Sequence, residues 1–228
     1  MGIDFAGRTV LVTGASSGIG REIALRFAVA GSRLALTYFE HRAEAEEVAE
    51  LCRGLGAPEV LTASLHLADD DSLRTLVETV GDRFGAIDIL VNNAGVIVWR
   101  SFLAQDFGDI ESQVRVNLEG VMKLIWAFLP MVSDAVITIG STATLHQSRT
   151  PPTYCATKWG LRGFVKALAV ERPGKRFVSV HPTETATPMS GMRGMSPERV
   201  ADVVLRVAAG DIEVEPGGDV DMRDYADA

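Results

Sequence analysis

The chain has 228 residues, of which 47% are hydrophobic and 23% charged, and it carries a formal net charge of −8. This composition suits a folded domain with a sizeable core and excludes disordered and collagen-like classes. The acidic balance argues against a nucleic-acid surface, because phosphate contacts need clustered Lys and Arg, but a local turn can still hold a small anionic cofactor. Cys52 and Cys155 are the only cysteines, and His41, His66, His146 and His181 are scattered. Neither a disulfide framework nor metal-ligand spacing is present, so the expected setting is a reducing cytoplasm without a metal. The N-terminus lacks the basic-then-apolar pattern of a signal peptide, and Ala6 stands where an acylation signal at Gly2 wants Ser or Thr. The most apolar stretch, Val121 to Val132, is too short to span a bilayer and contains Lys123 and Pro130, so no membrane association is expected.

Along the chain, short β-branched runs alternate with helical patterns. Thr9 to Val12 reads as a buried strand, after which Ile19, Ile23 and Phe27 recur at helical spacing. Arg33 to Thr37 reads as a second strand, followed by a charged helix from about Arg42 to Arg53, and Glu59 to Ala63 as a third strand. Asp69-Asp70-Asp71-Ser72 opens the next helix, whose Leu73, Leu76, Val77, Val80 and Phe84 form one stripe. Ile87 to Val91 reads as a strand, Glu111 to Leu129 as a long helix, and Ala135 to Ile139 as a strand. Tyr154 to Val170 reads as a helix, Phe177 to His181 as a strand and Ser196 to Ala209 as a helix, with a short terminal strand after it. Such alternation predicts right-handed βαβ units and a parallel sheet covered on both faces. No linker or repeat divides residues 1–228, so a single domain is expected.

Thr13-Gly14-Ala15-Ser16-Ser17-Gly18-Ile19-Gly20 follows the first strand and opens the first helix. Glycines let backbone approach a pyrophosphate, and a helix N-terminus presents free N–H groups to it. Three residues separate the first two glycines, unlike the G-x-G-x-x-G spacing.

That turn, with Asn92-Asn93-Ala94-Gly95 and Tyr154-Cys155-Ala156-Thr157-Lys158, resembles the short-chain dehydrogenase/reductase family over nearly the whole chain. The resemblance implies a single Rossmann-type, doubly wound sheet of about seven parallel strands in the order 3-2-1-4-5-6-7. It implies an oxidoreductase that exchanges a hydride between NADP(H) or NAD(H) and a small ketone or secondary alcohol. Asn117, in Arg115-Val116-Asn117-Leu118, matches the helix asparagine that holds a proton-relay water. Ser141 stands thirteen positions before Tyr154, the family spacing, and Tyr154 with Lys158 matches the catalytic pair. Gly14, Ser16, Ser17, Gly18, Ile19 and Gly20 match the cofactor turn. Asn93, Ala94 and Gly95 match the loop that supports cofactor and sheet, and Thr187 matches a threonine that contacts the nicotinamide carboxamide. Pro182, Thr183 and Thr185 fall in the same nicotinamide-side segment.

The chemistry fits these residue types. A hydride moving to or from carbon is accompanied by a proton on oxygen. Tyrosine is a poor base near neutrality, and an ammonium one helical turn away favours its phenolate. Lys158 is expected to bind the nicotinamide ribose as well, and Ser141 to hydrogen-bond the substrate oxygen.

Several positions depart from the family pattern. Tyr38 stands where NAD-preferring relatives place an acidic residue; its neutrality removes repulsion against a 2′-phosphate, and Arg42 or His41 supplies positive charge nearby. NADP is therefore the expected cofactor over NAD, although Ser17 stands where many NADP enzymes place a basic residue. His66, followed by Leu67, occupies the place of an aspartate that touches adenine. Thr183 replaces the glycine of the family's Pro-Gly, and Glu184 adds a charge. Thr185 to Pro197, with Met189, Met192 and Met195, aligns with the substrate lid but is short. Trp99, His146 and Met189 are expected to line the substrate pocket from their places after strands four, five and six.

The helix carrying Leu118, Val121, Met122, Leu124, Ile125, Trp126, Phe128 and Leu129 is apolar on more than one face. A helix buried by its own sheet and by a partner looks like this, so a homo-oligomer, dimer or tetramer, is expected. The alternative function is a non-catalytic NAD(P)-binding sensor on the same fold, a class that typically loses catalytic residues. Nicotinamide-dependent epimerases are generally longer, with a substantial C-terminal substrate domain.

Overall fold

The computed structural model describes residues 3–146 and 149–225. Met1 and Gly2, considered above for acylation, lie outside them. Among the described residues the strands are β1 (Thr9–Val12), β2 (Arg33–Tyr38), β3 (Val60–Ser64), β4 (Ile87–Asn92), β5 (Val132–Ile139), β6 (Arg176–His181) and β7 (Asp219–Asp221). They form one sheet in the order β3-β2-β1-β4-β5-β6-β7, every neighbouring pair parallel.

Continuous apolar runs are needed because both faces of this sheet are covered. Val10, Val12, Leu34, Leu36, Val91 and Ile137 face one layer, packed on α1 (Gly18–Val29), α2 (Arg42–Leu55) and α7 (Pro197–Ala209). Leu11, Ala35, Leu90, Val136 and Phe177 face the other, packed on α3 (Asp70–Phe84), α5 (Val121–Phe128) and α6 (Pro152–Glu171). Phe27 in the first layer and Phe128 in the second are fully buried, each contributing roughly 2–3 kcal/mol by area.

The largest departure from the expected elements is the helix placed at Glu111 to Leu129. It begins earlier, as α4 (Phe107–Val114), because Asp106 and Asp109 form a reciprocal capping box that the apolar pattern does not reveal. Arg115–Gly120 is then a π-helical segment leading into α5. Asn117 sits in this segment, a place where π-bulges commonly carry functional side chains. Other boundaries move by one to three residues, as with β5, which starts at Val132 rather than Ala135.

No helix among the described residues is long and apolar enough to cross a membrane. The strand order reverses beside β1, so the loops after β1 and β4 part there and leave a crevice at the strands' C-terminal ends.

Candidate active site

A cavity of about 650 Å³ occupies that crevice. At one end it is walled by Gly14, Ser16, Ser17, Gly18 and Ile19; at the other by Ser141, Tyr154, Lys158, Trp99 and Met189. The glycine turn is shaped for close approach. Gly14 and Gly18 have positive φ values of 65° and 56°, and a Cβ on Gly18 would lie 2.9 Å from Thr187 Cγ2. The α1 N-cap residue, Ser17, makes no side-chain cap, and the first turn holds no acidic residue. Its leading N–H groups therefore stay available to an anion. Thr13 Oγ1 accepts from the N–H groups of Asn93 and Ala94 (3.0 and 3.1 Å), while the Asn93 amide donates to the carbonyls of Thr13 and Gly14 (2.9 and 3.1 Å). These bonds lock the two loops together under the cavity floor. A site with a backbone cradle at one end and Ser141, Tyr154 and Lys158 at the other fits a dinucleotide.

At the adenosine end, Tyr38, His66, Leu67, Phe39 and His41 line the wall. Phe39 and His66 stack at 4.5 Å between ring centres. Among the described residues no carboxylate lines this end. Arg42 does not line it either: it is exposed at the start of α2, 3.9 Å from Glu46, and His41 lies 3.4 Å from Glu44.

At the catalytic end, the i, i+4 spacing puts Tyr154 and Lys158 on one face of α6, both on the cavity wall. The expected lowering of the phenol by the ammonium is absent. Lys158 Nζ donates to the Ile139 carbonyl (2.8 Å) and lies 5.7 Å from the Tyr154 ring centre. Burial dominates both groups: it pushes the Tyr154 phenol above its ordinary value, and it lowers the Lys158 ammonium to about 8. Ser141 Oγ accepts from the Ala143 N–H (3.2 Å), capping the 3-10 turn Thr142–Thr144 and leaving its own proton free to donate.

Asn117 stands behind the wall rather than on it. Its Oδ1 accepts from Val96 N–H (2.8 Å) and its Nδ2 donates to the Val96 carbonyl (2.7 Å) and to Thr157 Oγ1 (3.3 Å). Gly20 also lies off the wall, beneath Gly14 and Asn93.

Asn93, Ala94, Gly95, Pro182, Thr183, Thr185 and Thr187 line the cavity. Beyond Thr187, Ser190 ties together the segment aligned with a lid. Ser190 Oγ donates among the carbonyls of Thr185, Thr187 and Arg193 (2.6, 3.1 and 3.0 Å). Trp99 Nε1 donates to the Met189 carbonyl (2.9 Å), joining the two rims. His146, expected in the pocket, lies outside the lining. The 3-10 turn carries the chain toward β7, where His146 Nε2 lies 3.1 Å from Asp221 Oδ2. Met192 and Met195 are not on the wall either; Met192 is exposed and Met195 packs against the core.

Phe39, Val96 and Ile97 line the cavity without any sequence pattern that marks them. His181 is a further surprise: it is fully buried directly behind Ser141.

A family profile described as short chain dehydrogenase matches residues 8–196. The chain belongs to this family. Its members are NAD(P)-dependent oxidoreductases acting on CH–OH and C=O groups, and this short-chain dehydrogenase/reductase is one of them. It is 32% identical over 168 residues to a 3-oxoacyl-[acyl-carrier-protein] reductase of Staphylococcus aureus, covering 72% of this chain and 68% of that protein. It is 32% identical over 178 residues to 11-beta-hydroxysteroid dehydrogenase 1A of Arabidopsis thaliana, covering 76% of this chain but only 51% of that protein. A short chain dehydrogenase from Burkholderia cenocepacia, solved in complex with NADP, superposes with a TM-score of 0.88 at 27% identity, over 95% of this chain and 96% of the other.

Proposed function

We propose that the chain reduces an apolar ketone with NADPH, with Tyr154 as the general acid, and that residues 1–228 act as one dinucleotide-binding domain. The observation that carries this reading is the shared cavity: Ser141, Tyr154 and Lys158 line the same space as the glycine turn. When bound, the reduced nicotinamide supplies the hydride. Ser141, with its lone pair tied to Ala143, donates a hydrogen bond to the substrate oxygen as charge develops there and keeps its proton. Tyr154 then delivers a proton to that oxygen. The phenol, raised by burial above its ordinary value, is protonated at neutral pH, the form a general acid needs. Oxidation of an alcohol needs the phenolate and is expected to gain as pH rises. Lys158 holds the ribose side of the cofactor and supplies the charge beside the phenol. Asn117 fixes the Val96 backbone and so the wall between them.

Val96, Ile97, Trp99 and Met189 give the substrate end an apolar wall, and Arg149 and Glu184 also line the cavity. The names of the relatives, a 3-oxoacyl reductase and a hydroxysteroid dehydrogenase, favour an apolar carbonyl compound in keeping with this surface. All four expected catalytic residues are present, which favours an enzyme over a cofactor sensor. Exposed Met122, Trp126 and Trp159 on α5 and α6 support a homo-oligomer built through these helices, and a chain with only the two cysteines Cys52 and Cys155 suits a reducing cytoplasm.

The test is turnover of a panel of apolar and polar ketones with NADPH and NADH. Apolar ketones with NADPH are expected to turn over fastest, and a preference for charged sugars would refute the substrate assignment. For the cofactor, the neutral Tyr38 on the cavity wall predicts tighter NADPH than NADH binding. Tyr38→Asp places a negative charge there and is expected to weaken NADPH about tenfold while leaving NADH within about twofold, measured by nicotinamide fluorescence.

A further inference from the structure

The Ser141 loop is held from behind by a buried charged chain that the reaction scheme does not use. His181, the last residue of β6, has no exposed surface. Its Nε2 lies 2.8 Å from Asp219 Oδ1 on β7. Asp219 in turn receives a two-pronged contact from Arg162 on α6, with Nε at 3.0 Å and Nη2 at 2.7 Å, and Lys166 Nζ lies 2.8 Å from its other oxygen. On its far side, His181 Nδ1 faces Ser141 N at 3.2 Å, Ser141 O at 3.1 Å and Thr144 Oγ1 at 3.2 Å.

The contacts to Asp219 and to Ser141 N–H fit a neutral ring protonated at Nε2. The Asp219 carboxylate can only accept, so His181 Nε2–H donates to it. Nδ1 is then bare and accepts from Ser141 N–H. Thr144 Oγ1 donates to the Ser141 carbonyl (2.8 Å), which closes the turn, and Arg162 Nη1 donates to the Thr144 carbonyl (3.2 Å). Burial holds the imidazole below its ordinary value against the opposing pull of Asp219, in keeping with a neutral ring. At the edge of β7, Asp221 pairs with His146 and Arg223. The fit is close: a Cβ on Gly140 would stand 2.4 Å from His181 Nδ1, so only glycine lets the strand pass. Ser141, His181 and Asp219 nevertheless do not form a hydrolytic triad, because the imidazole meets the Ser141 backbone and not its Oγ.

We propose that His181, with its tautomer set by Asp219, is a positioning residue that aims the Ser141 hydroxyl at the substrate oxygen. A buried acceptor for Ser141 N–H fixes the backbone from which Oγ projects, and Arg162 and Lys166 anchor that acceptor to α6, the helix carrying Tyr154 and Lys158. The serine that hydrogen-bonds the substrate oxygen and the tyrosine that protonates it thereby share one frame. This inference rests on the reading of Ser141 given above.

The experiment uses full-length His181→Ala, His181→Asn and Asp219→Asn, with kcat on the best ketone of the panel and NADPH affinity by fluorescence. His181→Ala is expected to lower kcat at least about tenfold with the NADPH Kd within about twofold, and His181→Asn, whose carboxamide oxygen takes the place of Nδ1, to restore several-fold of the loss. Equal kcat in parent and His181→Ala, or equal loss of kcat and NADPH binding in both His181 variants, would overturn the proposal. If His181→Ala does not fold, Asp219→Asn decides: nitrogen-15 shifts of the parent ring should show protonated Nε2 and bare Nδ1, and Ser141 amide exchange should quicken about tenfold or more in the variant. A parent ring protonated at Nδ1, or unchanged exchange, would overturn it. Absence of any ketone turnover by the parent would instead refute the functional reading, and the ring and amide measurements would still decide whether His181 holds the Ser141 backbone.

Discussion

Tyr154→Phe is expected to abolish ketone reduction by at least about a hundredfold in kcat while leaving NADPH affinity within about threefold, because only the transferable proton is removed. The ring keeps its shape and its place on the cavity wall, so folding should not change. The phenol, raised by burial above its ordinary value, is protonated at neutral pH, so the parent reaction in the reducing direction should hold its rate through neutral pH. Turnover and fluorescence titration of the same preparation separate chemistry from binding. A variant that turns over within about threefold of the parent would remove Tyr154 from the proton step.

Lys158→Met is expected to move activity and stability in opposite directions. Lys158 is buried and, among the described residues, its ammonium donates to the Ile139 carbonyl. Its ammonium is held at about 8, below the ordinary lysine value, by desolvation alone. The charged form is thus penalised in the folded chain. Below about pH 8 the lysine is protonated both folded and unfolded, and the whole penalty stands. Between about 8 and the ordinary value the unfolded chain binds more protons than the folded one, so stability gains with rising pH. The methionine lacks this dependence. We therefore expect Lys158→Met to raise the thermal midpoint of the cofactor-free protein at pH 7, and the advantage to shrink as pH approaches 10. Turnover should fall about a hundredfold or more, with weaker NADPH binding, since the ribose contact and the charge beside Tyr154 both go. A lower midpoint at pH 7, or an advantage independent of pH, would show that burial does not control this lysine.

Much of this architecture is legible in the chain because its signals are local. Strands such as Val10 to Val12 must be apolar on both faces, and the glycine turn announces itself by composition between a strand and a helix. The Tyr154–Lys158 spacing correctly predicts a shared helix face. It does not predict where Nζ points, because that depends on Ile139 across the cavity floor. The π-helical segment around Asn117 is hidden for a related reason: the apolar residues continue through it, and one extra residue per turn leaves little trace in the period. His146 follows the right strand, but the 3-10 turn after Ser141 sends it toward Asp221. His181 and Asp219 are thirty-eight positions apart and meet only through the parallel pairing of β6 with β7. No pattern along the sequence marks such a pair.

The most direct measurement of the central claim is transfer of deuterium from nicotinamide-deuterated NADPH to product, read by mass spectrometry with the best ketone of the panel. The account predicts a product alcohol carrying a single cofactor-derived deuterium on its carbinol carbon, formed by the parent and not by Tyr154→Phe. Tight NADPH binding with no deuterium transferred to any ketone would contradict it and leave a cofactor-binding protein without the proposed reaction.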